Sequence, residues 1–152
     1  MSDPEFRKVD LAYFRYHIVP KFEALHWEEV GRDKRYKPDL LWEQYELLEK
    51  LGMLHILAML LDGAPEGYFV GILSPHLHYR KMQIFLSDMF YMSEKCRAMH
   101  GVKLFREAEK MARAVGAHKM HVVYKTYKSI EPIMRRLKFQ QVEVVAVKNL
   151  EA

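Results

Sequence analysis

The sequence predicts an α+β fold on a mixed central sheet, with antiparallel N-terminal strands, a βαβ C-terminal half and helices on both faces. Three observations carry this expectation. The apolar run Met53–Leu61 ends at Asp62-Gly63 and is followed by a second run at Gly67–Leu73, the pattern of an antiparallel hairpin. A long amphipathic helix at Arg97–Val115 stands between two further strand candidates, Gln83–Met92 and Lys119–Lys125. Strand, helix, strand in that order is a βαβ unit, because parallel strands need a long crossover.

The elements follow in order. Phe6–Val9 fits a short first strand. Leu11 to about Val30 has helical periodicity, with Tyr13, Phe14, Ile18, Phe22, Leu25 and Trp27 among its apolar positions. Pro20 interrupts it, and since proline has no N–H to donate, two helical pieces or a kink are expected there. Gly31–Lys37 reads as a charged loop. Pro38 and Asp39 open a second helix through Lys50, stopped by Gly52. Met53–Leu61 fits a buried helix equally well on periodicity alone; the turn signals after it favour a strand. On Arg97–Val115 one stripe carries Gly101, Phe105, Ala108, Ala112 and Val115, the opposite face is charged, and Gly116 is the stop. A helix at Ser129–Leu137 and a last strand at Val142–Lys148 complete the chain.

The 152 residues are half apolar and 29% charged, the composition of one globular domain spanning 1–152. No apolar run reaches the roughly 18 residues that a membrane span needs. Met1-Ser2-Asp3-Pro4-Glu5 is polar and acidic, unlike a signal or transit peptide. The lone Cys96 leaves no intramolecular disulfide and no multi-cysteine zinc site. A reduced, cytoplasmic location is therefore expected, the host cytoplasm if the protein is viral. The net charge of +4 is spread along the chain, with small clusters at Arg32-Asp33-Lys34-Arg35 and Arg135-Arg136-Leu137-Lys138. Interleaved acids make this a solvated surface rather than a nucleic-acid stripe, and it equally suits a polyanionic cofactor.

The segment Met92-Ser-Glu-Lys-Cys-Arg97-Ala-Met-His-Gly101-Val-Lys-Leu104 follows a long strand and opens a helix. It resembles the Arg/Gln-x-x-Gly-x-Gly/Ala loop of the GNAT superfamily of N-acetyltransferases. Arg97 stands at the Arg/Gln position and Gly101 at the last Gly. The spacing is one residue shorter, and Met99-His100 stand where the family has its first Gly. Ile133-Met-Arg-Arg-Leu-Lys-Phe139 resembles the family's late Tyr-x-x-Leu-Gly-Phe element, matching at Leu137 and Phe139 but not at Met134 and Lys138. The likeness covers roughly residues 45 to 150. His26-Trp27, the Tyr45…Leu51-Gly52 helix end and His76-x-His78-Tyr79 look most like small acetyltransferase-like proteins of bacteriophages and bacteria.

The resemblance implies acetyl-CoA as cosubstrate and direct attack of an amine on its thioester in a ternary complex. It places the CoA pyrophosphate on Arg97, Ala98, Met99, His100, Gly101 and Val102, where backbone N–H groups and the helix dipole favour anions. It assigns Phe90, Tyr91 and Met92 to contact with the pantetheine arm, sheet core being the alternative for these three. Asp88 is the candidate general base, since an acid in an apolar strand is costly unless paired or functional; a salt bridge or a solvent-facing position is the plainer account. The family's usual proton-donating Tyr falls on Met134, leaving Tyr124 and Tyr127 as substitutes.

His26, Trp27 and Glu28, with Glu29 beside them, are expected at the acceptor mouth, an exposed helix face being the other reading of the two glutamates. His78, beside His76 on the turn before the long strand, joins them as a candidate. No metal is expected, because His76-x-His78 lacks a further ligand at metal spacing, and Cys96 has no nucleophile pattern around it. The acceptor is an amine on a small molecule or a protein. Two alternatives remain: a catalytically impaired GNAT-fold protein that binds a host protein, and more distantly a nucleic-acid-binding module. The aromatics of Tyr13–Trp27 suit either a homodimer interface or the core.

Overall fold

The computed structural model describes residues 2–151, so Met1 and Ala152, the ends of the expected domain, lie outside it. A five-stranded sheet has the order β1-β2-β3-β4-β5. Its strands are β1 (Glu5–Val9), β2 (Leu54–Leu61), β3 (Ala64–Pro75), β4 (Gln83–Met92) and β5 (Lys119–His121). The first four pair antiparallel and β4 pairs parallel with β5. The mixed sheet and the βαβ half are as the sequence predicts.

Apart from His55, strand β2 is apolar, as suits a strand with both faces of the sheet covered. Ile56, Ala58 and Leu60 enter one core with Leu11, Phe14, Ile18, Phe22, Tyr68, Val70 and Tyr91. Leu57 and Met59, pointing the other way, enter a second core with Phe69, Phe85, Met92, Leu104, Phe105, Ala108 and Met134. The hairpin joining β2 to β3 turns at Asp62 (φ 52°) and Gly63 (φ 80°). Two consecutive positive φ values define the type I′ turn, whose twist matches that of the strands.

Two β-bulges shape the sheet. Met59 pairs with Gly67 and Leu60 with Pro65, which leaves Glu66 of β3 without an opposite residue. Val70 pairs with Met89 and Gly71 with Ser87, which leaves Asp88 of β4 likewise unopposed. A bulge bends its strand and re-aims a side chain, and both extra residues here are carboxylates. Beside the second bulge, a Cβ at Gly71 would lie 2.1 Å from the ring of Phe85, so this position admits no side chain while the ring stays in place.

The first face is covered by one helical run, α1 (Leu11–Tyr13), a π-helical segment (Phe14–Ile18) and α2 (Val19–Val30), together with α3 (Trp42–Lys50). The Asp10 side chain accepts the Tyr13 N–H at 2.8 Å and caps the start. Pro20 does not split the run. It follows directly on the π-helical segment, whose wide turn, with the Val19 N–H reaching back to the Phe14 carbonyl, accommodates a residue without an N–H. The break expected at Pro20 is thus a change of helix type. α3 begins at Trp42 rather than at Pro38, and Leu41 at its N-cap supplies no capping side chain.

α4 (Glu94–Ala114) and α5 (Glu131–Arg136) cover the second face. α4 begins at Glu94, so Arg97–Gly101 is helical from end to end and is not the loop the sequence suggested. Of the expected strand Lys119–Lys125 only Lys119–His121 is paired, and the helix expected over Ser129–Leu137 shortens to α5. The expected strand Val142–Lys148 is not formed: residues 140–151 carry no helix or strand. Past His121 the chain leaves the β4 ladder although β4 runs on to Met92, and among the described residues no strand pairs with 140–151.

Candidate functional site

The last β4–β5 pair is Leu86 with His121, yet β4 continues to Met92. Residues 87–92 therefore carry an open backbone edge on the side where β5 has turned away. The Ser87 hydroxyl accepts the Val123 N–H at 2.8 Å, so a side chain bridges the fork just where the backbone ladder stops. A forked pair of parallel strands offers unpaired N–H and C=O groups to an extended ligand, as a sheet edge does to a peptide.

At the open end of the fork, α4 starts immediately after β4. Its N-cap, Ser93, makes no side-chain capping bond, and the Ser93 Oγ is buried without a partner. The first-turn N–H groups of a long helix and their dipole thus converge here without a side-chain acceptor. The start of α4 is held by two ion pairs. Lys95 meets Glu66 at 2.9 Å, and Glu66 also meets Lys21 of α2 at 3.3 Å. Burial alone would raise the Glu66 pKa, but Lys95 and Lys21 hold it below the usual range.

The second tie is bidentate. Arg97 Nη1 and Nη2 lie 2.5 and 2.6 Å from the two carboxylate oxygens of Glu29, and Arg97 Nε donates to the Met92 carbonyl at 2.8 Å. The guanidinium also stands 5.3 Å from the centre of the Tyr91 ring. Hydrogen bonding to Arg97 lowers the Glu29 pKa and raises that of Arg97. Lys128 adds a longer contact to Glu29 at 3.8 Å. Behind this pair His26 stacks on Tyr91, with ring centroids 5.3 Å apart, and its Nδ1 shares a 2.6 Å hydrogen bond with the Tyr68 hydroxyl. Burial pushes the His26 pKa down and the Tyr91 and Tyr68 pKa values up, so all three rings are neutral at neutral pH.

Asp88 sits at the second bulge, on the same face as His26 and Tyr91. Its Oδ2 accepts the Tyr45 hydroxyl at 2.5 Å, which ties α3 to β4. The residue keeps solvent contact, but the surrounding protein desolvates the carboxylate and raises its pKa, an effect Tyr45 partly offsets. This is a poised carboxylate at a bent strand, close to the start of the fork.

The predicted residues divide accordingly. Tyr91, Arg97, His26 and Asp88 come together on one face of β4, whereas the Met92 side chain is buried in the opposite core and only its carbonyl joins the group, through Arg97. Phe90 points to the opposite face, stacked on Phe69 and edge-on to Phe105, so it is sheet core. Ala98 and Met99 are exposed on α4, while His100 and Gly101 are buried within it and Val102 is half-buried. The His100 imidazole fills space where the family motif has glycine, and neither ring nitrogen has a partner.

Trp27 donates to the Tyr36 carbonyl at 2.8 Å and packs the α2–α3 loop. Glu28 faces solvent, and it is Glu29, one residue on, that reaches the cluster. Tyr127 donates to the Val30 carbonyl at 2.7 Å, beneath the Arg32 guanidinium. Tyr124 is half-buried against the α4–α5 core. His78 is not part of the cluster. It lies in the β3–β4 connection with His76 and Tyr79, while the cluster is at the other end of a ten-residue strand, about 30 Å away at ~3.3 Å per residue. Glu66 and Tyr45 were not signalled by the sequence: one is aimed by a bulge, the other acquires meaning only through Asp88.

No family model matches the chain, and no curated protein matches it by sequence. Solved structures do. AAC(6')-Iy in complex with the bisubstrate analogue CoA-S-monomethyl-acetylneamine superposes with a TM-score of 0.68 at 12% identity, covering 99% of this chain and 100% of its own. A ribosomal-protein-alanine N-acetyltransferase from Brucella melitensis biovar Abortus 2308 gives 0.69 at 11% identity over 97% and 99%. An aminoglycoside acetyltransferase from an uncultured soil metagenomic sample gives 0.69 at 14% over 99% and 100%. The chain has the fold of the GNAT acetyltransferases along its whole described length.

Proposed function

We propose that this protein is an acyltransferase, a single GNAT domain spanning 1–152 that transfers an acetyl group from acetyl-CoA to an amine. The observation that carries this reading is the fork: an open β4 edge over 87–92 that leads directly into the uncapped N-terminus of α4. That pairing suits CoA, whose pantetheine arm carries amides for the edge and whose pyrophosphate is an anion for the helix end. Residues 87–92 and the Ser93–Cys96 turn would hold it, with Arg97 beside them. Bound there, acetyl-CoA supplies the activated thioester.

The chain's own residues supply the rest. Asp88 accepts the proton of the incoming ammonium, its raised pKa bringing it nearer the working pH. Tyr45 orients that carboxylate. The neutral, stacked His26 and Tyr91 form an apolar wall that keeps water from the reacting centre. Tyr124 is the better proton donor for the departing thiolate, since the Tyr127 hydroxyl is engaged with Val30. The acceptor is a small-molecule or protein amine, entering between α2 and the end of β4.

Titration calorimetry with acetyl-CoA, followed by a thiol-release assay against a panel of amines, tests the proposal. Binding with turnover of at least one amine supports it, and absence of binding at millimolar acetyl-CoA overturns it. One observation favours a second reading, a catalytically impaired GNAT-fold protein that binds a host protein: Glu29 already neutralises Arg97, the charge that the family motif turns toward the cofactor. Acetyl-CoA binding without transfer to any amine, together with stoichiometric capture of one host protein, distinguishes it.

A further inference from the structure

Acids interleave with the cations along most of this chain, but two long stretches have none. Residues 67–87 carry Arg80 and Lys81 as their only Lys or Arg, and residues 110–130 carry Lys110, Arg113, Lys119, Lys125 and Lys128. The fold joins the two stretches. β4 pairs with β5 at Ile84 and Lys119, which sets the β3–β4 connection (residues 76–82) beside the turn between α4 and β5. Arg80, Lys81, His118 and Lys119 are exposed there. Among the described residues Arg80, Lys81 and Lys119 form no ion pair, while Arg113, in the last turn of α4, is held by Glu109 at 2.8 Å. A surface patch of one sign attracts polyanions.

The β3–β4 connection is closed by its own backbone. The His76 N–H reaches the Met82 carbonyl at 2.8 Å, the Tyr79 N–H the His76 carbonyl at 3.1 Å, and the Met82 N–H the Tyr79 carbonyl at 2.8 Å. The His78 N–H donates to His76 Nδ1 at 3.0 Å. His76, His78 and Tyr79 form a cluster of rings with centroids 4.9 to 6.3 Å apart, and Tyr79 is 61% exposed. A ring held in this way loses little freedom when a flat partner stacks on it. Beside it lies a groove of about 430 Å³ lined by Tyr79, Arg80, Lys81, Met82 and His118. The Gln83 N–H donates to His118 Nδ1 at 2.9 Å, and the His118 N–H to the Gln83 carbonyl at 2.8 Å. The neutral His118 ring therefore carries its proton on Nε2, a donor at the groove wall.

We propose that this end of the molecule docks single-stranded nucleic acid, with one base stacked on Tyr79 over the groove and the flanking phosphates on Arg80, Lys81 and Lys119. Cations that follow a backbone, set beside an exposed ring, are the two parts such a site needs. A duplex hides its base faces in the stack. An acidic peptide satisfies the cations but brings no flat face for Tyr79. An anionic membrane asks for several aliphatic side chains to bury, and in the connection Leu77 alone, 97% exposed, answers that need. The patch stands at the far end of β4 from the fork. Docking here is therefore separate from acetyl transfer, and it gives the His76-x-His78-Tyr79 segment a role that the candidate site does not.

Fluorescence anisotropy of the full chain with a labelled oligouridylate, repeated over a salt series, tests this. Binding at about micromolar protein is expected at low salt. It should fall with salt at a log–log slope of about −2, the value for about three phosphate contacts on a single strand. Arg80→Glu combined with Lys81→Glu is expected to weaken binding at least about tenfold. Lys119→Glu, on the other segment, should weaken it too, and that result stands apart from any local change in the connection. Tyr79→Ala should cost about fivefold or more with the salt slope unchanged, a split that a purely electrostatic surface does not give. Absence of binding at about 100 μM protein overturns the proposal. So does indifference to Tyr79→Ala or to the charge reversals, or equal affinity for a duplex of the same length, for polyglutamate or for phosphatidylserine vesicles.

Discussion

Arg97 and Glu29 lie 68 positions apart in sequence and form a two-pronged ion pair that fastens the first turns of α4 to the last turn of α2. The pair stands at the end of β4, where Arg97 also holds the Met92 carbonyl. In the function proposed above, an amine entering over α2 would pass it, and an anion at the start of α4 would lie close to it. Its charge state therefore links the stability of the fold to the chemistry of the site.

Because Glu29 is held below its ordinary pKa, its contribution is present above the unfolded value and lost as pH falls through the lower, folded one. Glu29→Gln is expected to flatten the acid side of the stability–pH curve, read by urea denaturation across the acidic range. A double-mutant cycle with Arg97→Ala should give a coupling of about 1 kcal/mol, the pair being only partly buried. Zero coupling would show that the two side chains do not depend on each other.

Asp88 behaves in the opposite sense. Its folded pKa is raised, so the fold disfavours the ionised form, and stability is lost as pH rises from the unfolded value through the folded one. Asp88→Asn keeps an acceptor for Tyr45 and removes the charge. Thermal stability at neutral pH should stay level or rise, while amine transfer falls by about 10²- to 10⁴-fold. Equal loss of both would make Asp88 a structural residue.

Tyr45→Phe removes the hydroxyl that favours the ionised Asp88. Its stability cost should be small, about 1 kcal/mol. The acid limb of the pH–rate profile should move to higher pH, because Asp88 then holds its proton more tightly. A profile displaced toward lower pH contradicts the assignment.

Gly71→Ala drives a methyl into the Phe85 ring beside the second bulge. A loss of about 1–3 kcal/mol is expected by chemical denaturation, from overpacking of a fully buried ring. Phe85→Leu in the same chain should recover part of it, and a fully additive double mutant would place the strain elsewhere.

Much of the fold was legible because local chemistry and tertiary structure agree. Asp62-Gly63 demanded its turn, the apolar run of β2 matched a strand buried on both faces, and the stripe on α4 matched its core. The start of α4 was read too late, since no Gly or Pro marks the join after Met92 and Arg97 drew attention as though it opened the helix. Glu29 as its partner, and Glu66 and Asp88 as bulge residues, depend on register and long-range pairing that no local pattern records. His78 was misplaced for a geometric reason: adjacent in sequence to a strand's beginning, it is remote from that strand's end. Residues 142–148 carry a strand pattern, yet no strand forms there among the described residues.

The π segment at Phe14–Ile18 has a consequence for phase. Phe14, Ile18, Phe22 and His26 point toward the sheet, each four positions after the last. On a pure α-helix each such step overshoots a full turn by ~40°, so the row would wind steadily round the helix. The wider π turn takes back part of that rotation at the beginning of the row. It acts as a torsional offset, delivering the His26 ring over Tyr91 instead of to one side. Deleting one residue from 14–18 would restore ordinary α geometry, leave the helix intact and turn that ring away from the site.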